Sequence, residues 1–119
     1  MDVNYLKEND IDVDSSIELL GDIEMYNETL EAFLTESEDR LPKMDKFLKE
    51  KDAANYAILA HAMKSDSKYL GFKKLAELSL DHELKGKENE IKYLEDNYEE
   101  LITEANKIID IVKKYLEVE

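Results

Sequence analysis

The segment Ala60–Phe72 (AHAMKSDSKYLGF) places His61 three positions before Lys64 and ten before Gly71. A neutral imidazole presents a nucleophilic ring nitrogen near neutral pH, and a phosphoryl group held on nitrogen stays labile enough to be passed on. A lysine one helical turn away can lean toward an anion on that ring and offset charge on the transferring oxygens. Between Lys64 and Lys74 there are four lysines (64, 68, 73 and 74) against one acid, Asp66, in a chain of 30 acidic and 16 basic residues. Covalent group transfer centred on His61 is therefore the first chemistry to consider, with Lys64 and Lys68 as the nearby cations and Ser65 as a small neighbour.

The whole-chain numbers narrow the alternatives. With 119 residues the chain is expected to form one domain, 1–119, around one core, burying roughly two thirds of its unfolded surface. A net charge of −14 repels a phosphate backbone and an anionic leaflet, so neither nucleic acid nor membrane is an expected partner. Cysteine is absent, which removes disulfides, thiolate metal sites and cysteine nucleophiles. The acidic start MDVNYLKENDIDVD has no apolar run, and no stretch approaches the roughly 18 apolar residues of a membrane span, so a cytoplasmic protein is expected. The glycines at 21, 71 and 86 are isolated, which leaves no phosphate-cradling loop for ATP. No cofactor is expected.

Those residues must be positioned by helices. Three glycines and one proline leave little turn chemistry in a chain rich in Leu, Glu, Lys and Ala. Ile91, Leu94, Tyr98, Leu101, Ala105, Ile108 and Val112 recur at spacings of three and four, which predicts a helix of about seven turns from Asn89 to the end. Ile23, Tyr26, Leu30, Phe33, Leu41, Met44 and Leu48 draw a similar stripe behind a cap at Asp22, with a kink or break expected near Leu41 because of Pro42. Asp14 can cap a short helix over Ser15 to Leu20, ended by Gly21. A further long helix is predicted from about Asp52 to Leu70 with Gly71 as its stop, and another from Lys73 to about Lys85, closed by Gly86. The fold class expected is all-α: an antiparallel up-down-up-down four-helix bundle with a short extra N-terminal helix.

At about 100° per residue, Leu59, Met63 and Leu70 project opposite His61, with Tyr56 near them, so His61 must look outward. Its own face carries Ala54, Ala57, Ser65 and Lys68, with Ile58 and Lys64 at the edges. Small side chains there leave the ring within reach of a second protein. Asp66 projects about 140° from His61, toward the core, where a carboxylate needs a partner or a route to water. His82 shares a face with Leu75 and Leu78 and is expected at the core margin with one nitrogen hydrogen-bonded.

His61, Met63, Lys64, Ser65, Leu70 and Gly71 resemble the signature of histidine-containing phosphotransfer (Hpt) domains, H-x-L-K-G-x(4)-L-G, with matching spacing throughout. The resemblance extends upstream through Leu20-Gly21-Asp22 and Glu24-Met25-Tyr26 to Phe33, and downstream to His82-Glu83-Leu84. It implies a monomeric four-helix bundle whose exposed histidine takes a phosphoryl group from a receiver-domain aspartate and gives it to another. It also implies response-regulator receiver domains and a hybrid histidine kinase as partners. Carried over by position, His61 would be phosphorylated, Lys64 would support the phosphate and Gly71 would end the active helix. Ser65 stands where the family usually has glycine, and its hydroxyl could donate to a phosphate while narrowing the approach. Met63 for leucine conserves core volume. Docking would use the small and apolar residues beside His61 and the adjoining helix around Leu30 to Leu34.

Other classes fit less well. An interaction module that binds receivers or partner helices without being phosphorylated shares the same bundle. A di-metal bundle needs paired Glu-x-x-His motifs, but Ile58 and Ser79 stand three residues before the two histidines, so no metal is expected. The dimerisation half of a histidine kinase needs two long helices and a following ATP-binding domain that these residues do not contain. The acids of 24–39 and 88–104 read as solvated helix faces.

Overall fold

The computed structural model describes residues 1–117, and among them the chain forms six helices. These are α1 (Val3–Glu8), α2 (Val13–Leu20), α3 (Ile23–Lys49), α4 (Ala53–Leu70), α5 (Lys73–Lys87) and α6 (Ile91–Leu116). Four of the six begin on an aspartate whose carboxylate accepts a backbone N–H of the first turn: Asp2 from Asn4, Asp12 from Ser15, Asp22 from Met25 and Asp52 from Asn55. Each cap satisfies a donor the helix leaves orphaned and sets negative charge against the positive end of the helix dipole. Hydrogen bonds from Ser15 and Asn55 accordingly hold the Asp12 and Asp52 carboxyls below the usual range.

Several boundaries differ from the sequence expectation. Two short helices precede the long ones rather than one, and α2 is capped by Asp12, while Asp14 lies in its first turn and pairs with Lys7 at 3.1 Å. α3 runs unbroken through Pro42. The carbonyl that loses its partner there belongs to Glu38, an exposed residue, so water can replace the bond. Gly86 lies inside α5, and the left-handed turn beyond that helix is made by Asn89 at φ 58°. The last two residues of the helix expected to run to the chain end, Val118 and Glu119, lie outside the described residues.

The long helices bury one face each. α3 packs on α4, α4 on α5, α5 on α6 and α6 on α3, which closes a ring around Tyr26, Leu30, Phe33, Met44, Tyr56, Met63, Leu70, Leu75, Leu94 and Leu101. Phe33 and Phe72 meet edge to face with centroids 5.1 Å apart, a favourable arrangement of ring quadrupoles. His82 lies deeper than its pattern implied and uses both nitrogens. Its Nε2 faces the Asn97 carbonyl at 3.2 Å, which only accepts, so Nε2 carries the proton; Nδ1 then accepts from the Tyr56 hydroxyl at 2.7 Å. Burial pushes the His82 imidazole down, toward its neutral form. The partner of Asp66 is Arg40, the chain's one arginine, whose Nη2 donates to it at 2.9 Å and also reaches Glu36 at 3.2 Å.

The turn between α4 and α5 sets the end of the His61 helix. Gly71 sits at φ 85°, and its carbonyl accepts the Asp12 N–H at 3.0 Å beside an isolated Ile11–Phe72 bridge. A Cβ at position 71 would stand 2.5 Å from the Asp12 carbonyl oxygen. Gly71→Ala therefore combines a left-handed backbone penalty with a collision against main chain that cannot swing away. A loss of about 2–4 kcal/mol is expected, read as a fall in the urea midpoint at unchanged slope, and a loss below about 0.5 kcal/mol would contradict this packing.

Candidate functional site

The site forms beside a close approach of α4 and α5. A Cβ on Gly86 would lie 2.9 Å from the Cβ of Ala57 and 3.2 Å from the Ala53 carbonyl, so the two helices touch nearly backbone to backbone at this point. Ala57, read from the sequence as part of the outward face, is in consequence buried. One turn along each helix from this contact, α4 presents His61 and α5 presents Glu83.

His61 is exposed as its projection requires, with 56% of the side chain accessible, whereas Tyr56, Met63 and Leu70 on the other side of α4 are buried. Its Nδ1 lies 2.7 Å from Oε2 of Glu83. The Glu83 side chain is only 3% accessible, and three donors surround it: His61, Lys64 Nζ at 2.8 Å from Oε1, and Lys87 Nζ at 2.8 Å from Oε2. Burial pushes the Glu83 carboxyl up, but the hydrogen bonds from Lys64, Lys87 and His61 outweigh it and leave the group lowered to about 2. Glu83 is thus a permanent carboxylate at neutral pH.

That charge decides the tautomer. At 2.7 Å an unprotonated Nδ1 would set a lone pair against a carboxylate oxygen, so Nδ1 must carry the proton and donate it. Lys64 Nζ, 3.3 Å from the same nitrogen, is then a close neighbour held by their shared acceptor and not a donor to the ring. Nε2 is left with the free lone pair, on a ring that solvent reaches, and no described residue bonds to it.

The predicted site residues are brought together unequally. Lys64 joins His61, but it is drawn inward, with 15% of its side chain accessible, to hold Glu83. Ser65 is half-buried on the next turn, and Lys68 is exposed two turns from His61; neither enters the cluster among the described residues. Leu30, Phe33 and Leu34, expected to offer a docking surface on α3, are buried in the core because they form its inward stripe. The concavity beside His61 lies on the α5 side instead, a groove of about 650 Å³ floored by Ala54, Ala57 and Gly86, with Ile58 and Lys87 on its rim. Sequence reasoning gave no role to Glu83 or Lys87. Their only local signal is the i,i+4 spacing of an acid and a base on α5, which many surface helices show.

The model of the Hpt domain family matches residues 28–111, a span that contains His61, Lys64, Glu83 and Lys87. The chain belongs to the Hpt domain family. Comparison with curated proteins and with solved structures gives no match. Hpt domains are phosphotransfer modules of two-component signalling, carriers that work with receiver domains and kinases and have no ATP site of their own. Among the described residues of this Hpt domain no helix is long and apolar enough to cross a membrane, and no three His, Asp or Glu are grouped to hold a metal ion.

The electrostatics of the site fix a pH dependence. The folded-state value of Glu83 lies below the ordinary 4.5, so its contribution to stability is complete above that pH and is lost as pH falls toward about 2. His82 acts earlier in the same direction: kept neutral by burial, it costs stability once pH falls below the 6.5 at which the unfolded chain takes up its proton. Urea midpoints measured across these ranges should fall with acid in both, and Glu83→Gln should flatten only the lower one.

Proposed function

We propose that this protein is a phosphorelay intermediate that accepts a phosphoryl group on Nε2 of His61 from a receiver-domain aspartate and passes it to another receiver. The observation that carries the reading is the 2.7 Å bond between His61 Nδ1 and a buried carboxylate, which leaves one nucleophilic nitrogen on an exposed ring. In the forward step the Nε2 lone pair forms a P–N bond while the bond from phosphorus to the aspartyl oxygen breaks, and the electron pair leaves with the carboxylate. The Nδ1 proton stays where it is, hydrogen-bonded to Glu83, so the phosphorylated ring is an imidazolium whose positive charge the carboxylate offsets, and the reverse step needs no proton rearrangement. Lys64 steadies Glu83 and supplies positive charge near the transferring oxygens. Ser65 and Lys68 border the approach, where the serine hydroxyl can donate to a phosphoryl oxygen and the lysine adds to the local positive field.

In this reading residues 1–119 act as one module, a monomeric cytoplasmic carrier. Its four long helices form an antiparallel up-down-up-down bundle, as the short connections between consecutive packed helices favour. A hybrid histidine kinase stands upstream, and response-regulator receivers dock over His61.

The test is chemical. Purified protein treated with phosphoramidate, or with a phosphorylated receiver, should gain the mass of one phosphate in a form that acid removes, and His61→Gln should gain none. No gain from either donor would instead favour a helical interaction module that binds without being phosphorylated.

A further inference from the structure

We propose that Lys87, a residue outside the histidine signature, is the cation that binds the phosphoryl group on His61, while Lys64 remains on Glu83. The inference rests on the phosphocarrier reading and assigns a second cation to the same site.

The two lysines are placed differently. Lys64 has 15% of its side chain accessible, and its ammonium is fixed between Oε1 of Glu83 and the proton-bearing side of the imidazole, 3.3 Å from Nδ1. Leaving that position would uncover a buried carboxylate oxygen and require a half-buried chain to unpack. Lys87 is 62% accessible and sits on Oε2, an oxygen that also receives the His61 Nδ1 proton at 2.7 Å. If Lys87 departs, Oε2 keeps one short charge-assisted bond and the carboxylate keeps Lys64. Of the cations at the site, Lys87 is the one whose release costs the buried carboxylate least.

The charge balance supplies the reason to move. With a neutral ring, the resting cluster of Glu83, Lys64 and Lys87 carries one net positive charge. Transfer to Nε2 forms the P–N bond, expels the donor's leaving group and keeps the Nδ1 proton in place, so the ring becomes an imidazolium while the phosphoryl oxygens carry about two negative charges. The imidazolium then bonds Oε2 with a full charge of its own, which loosens the hold of Glu83 on Lys87 as negative charge appears beside the ring. A mobile ammonium within reach can follow that charge. Reach is provided by the fold: the Gly86–Ala57 contact draws α5 against α4, and Lys87, the next residue after Gly86, shares the rim of the groove with His61. Lys68, two turns away and outside the cluster, has no comparable placement.

The test uses the full chain and phosphoramidate as donor, with phosphohistidine followed by 31P NMR. Lys87→Met should slow its formation about tenfold. It should also raise the pH midpoint of the 31P titration by about half a unit, because a cation beside the phosphoryl oxygens favours their charged form. Lys87→Arg should keep both properties near wild type. The titration separates a phosphate-binding cation from one that only steadies Glu83, since loss of a purely structural lysine leaves the phosphoryl group's own ionisation unmoved. An unchanged midpoint in Lys87→Met, or an equal loss of rate in Lys87→Arg, overturns the inference while leaving the carrier reading intact. Failure of the wild-type protein to form phosphohistidine overturns both.

Discussion

A carboxylate with almost no access to water sits between α4 and α5, and it is tolerable there only because three donors converge on it. Removing Glu83 from water without partners would cost several kcal/mol or drive it to take up a proton. Lys64, Lys87 and His61 reverse that outcome so fully that its ionisation is lowered to about 2. The site gains from this arrangement a fixed negative point beside an exposed imidazole. Such a point dictates where the ring keeps its proton, holds the ring plane, and keeps two ammonium groups beside the imidazole. Without it, His61 would be an ordinary surface histidine.

The rest of the fold serves to hold α4 and α5 at the right separation. Gly86 lets them approach to backbone contact, and Ala53 and Ala57 accept that approach because they have so little side chain. At the other end Gly71 turns the chain tightly, and the segment Ile11–Asp12 straps across the turn through a backbone bond and an isolated bridge. The buried Tyr56–His82–Asn97 chain of hydrogen bonds ties the first turn of α4 through α5 to α6. It lies one residue from Glu83 on α5, so the register that satisfies His82 inside also presents Glu83 to His61 outside.

Much of this was legible in the residues. The outward aim of His61 followed from helical projection once Tyr56, Met63 and Leu70 were assigned to the core. The stop at Gly71, the caps at Asp22 and Asp52 and the stripe of α6 are local features that short stretches of sequence encode. What depended on two helices meeting was not legible. Glu83 reads as one more surface acid, and the partner of Asp66, Arg40, lies on a different helix whose register no local pattern fixes. Gly86 looks like a helix stop because glycine most often plays that part, yet here it serves close packing. Pro42 reads as a breaker, but a break follows only if the freed carbonyl cannot find water. On α3, Leu30, Phe33 and Leu34 form the inward side of their helix, so of the stretch expected for docking only Glu31 and Ala32 are exposed.

The central claim is that Glu83 fixes the proton of the neutral His61 ring on Nδ1. Ring 15N NMR of the unphosphorylated protein, recorded at about pH 8, measures this directly, because protonated and unprotonated imidazole nitrogens resonate far apart. The structure predicts a protonated Nδ1 and an unprotonated Nε2 for His61. A proton found on Nε2 would contradict it.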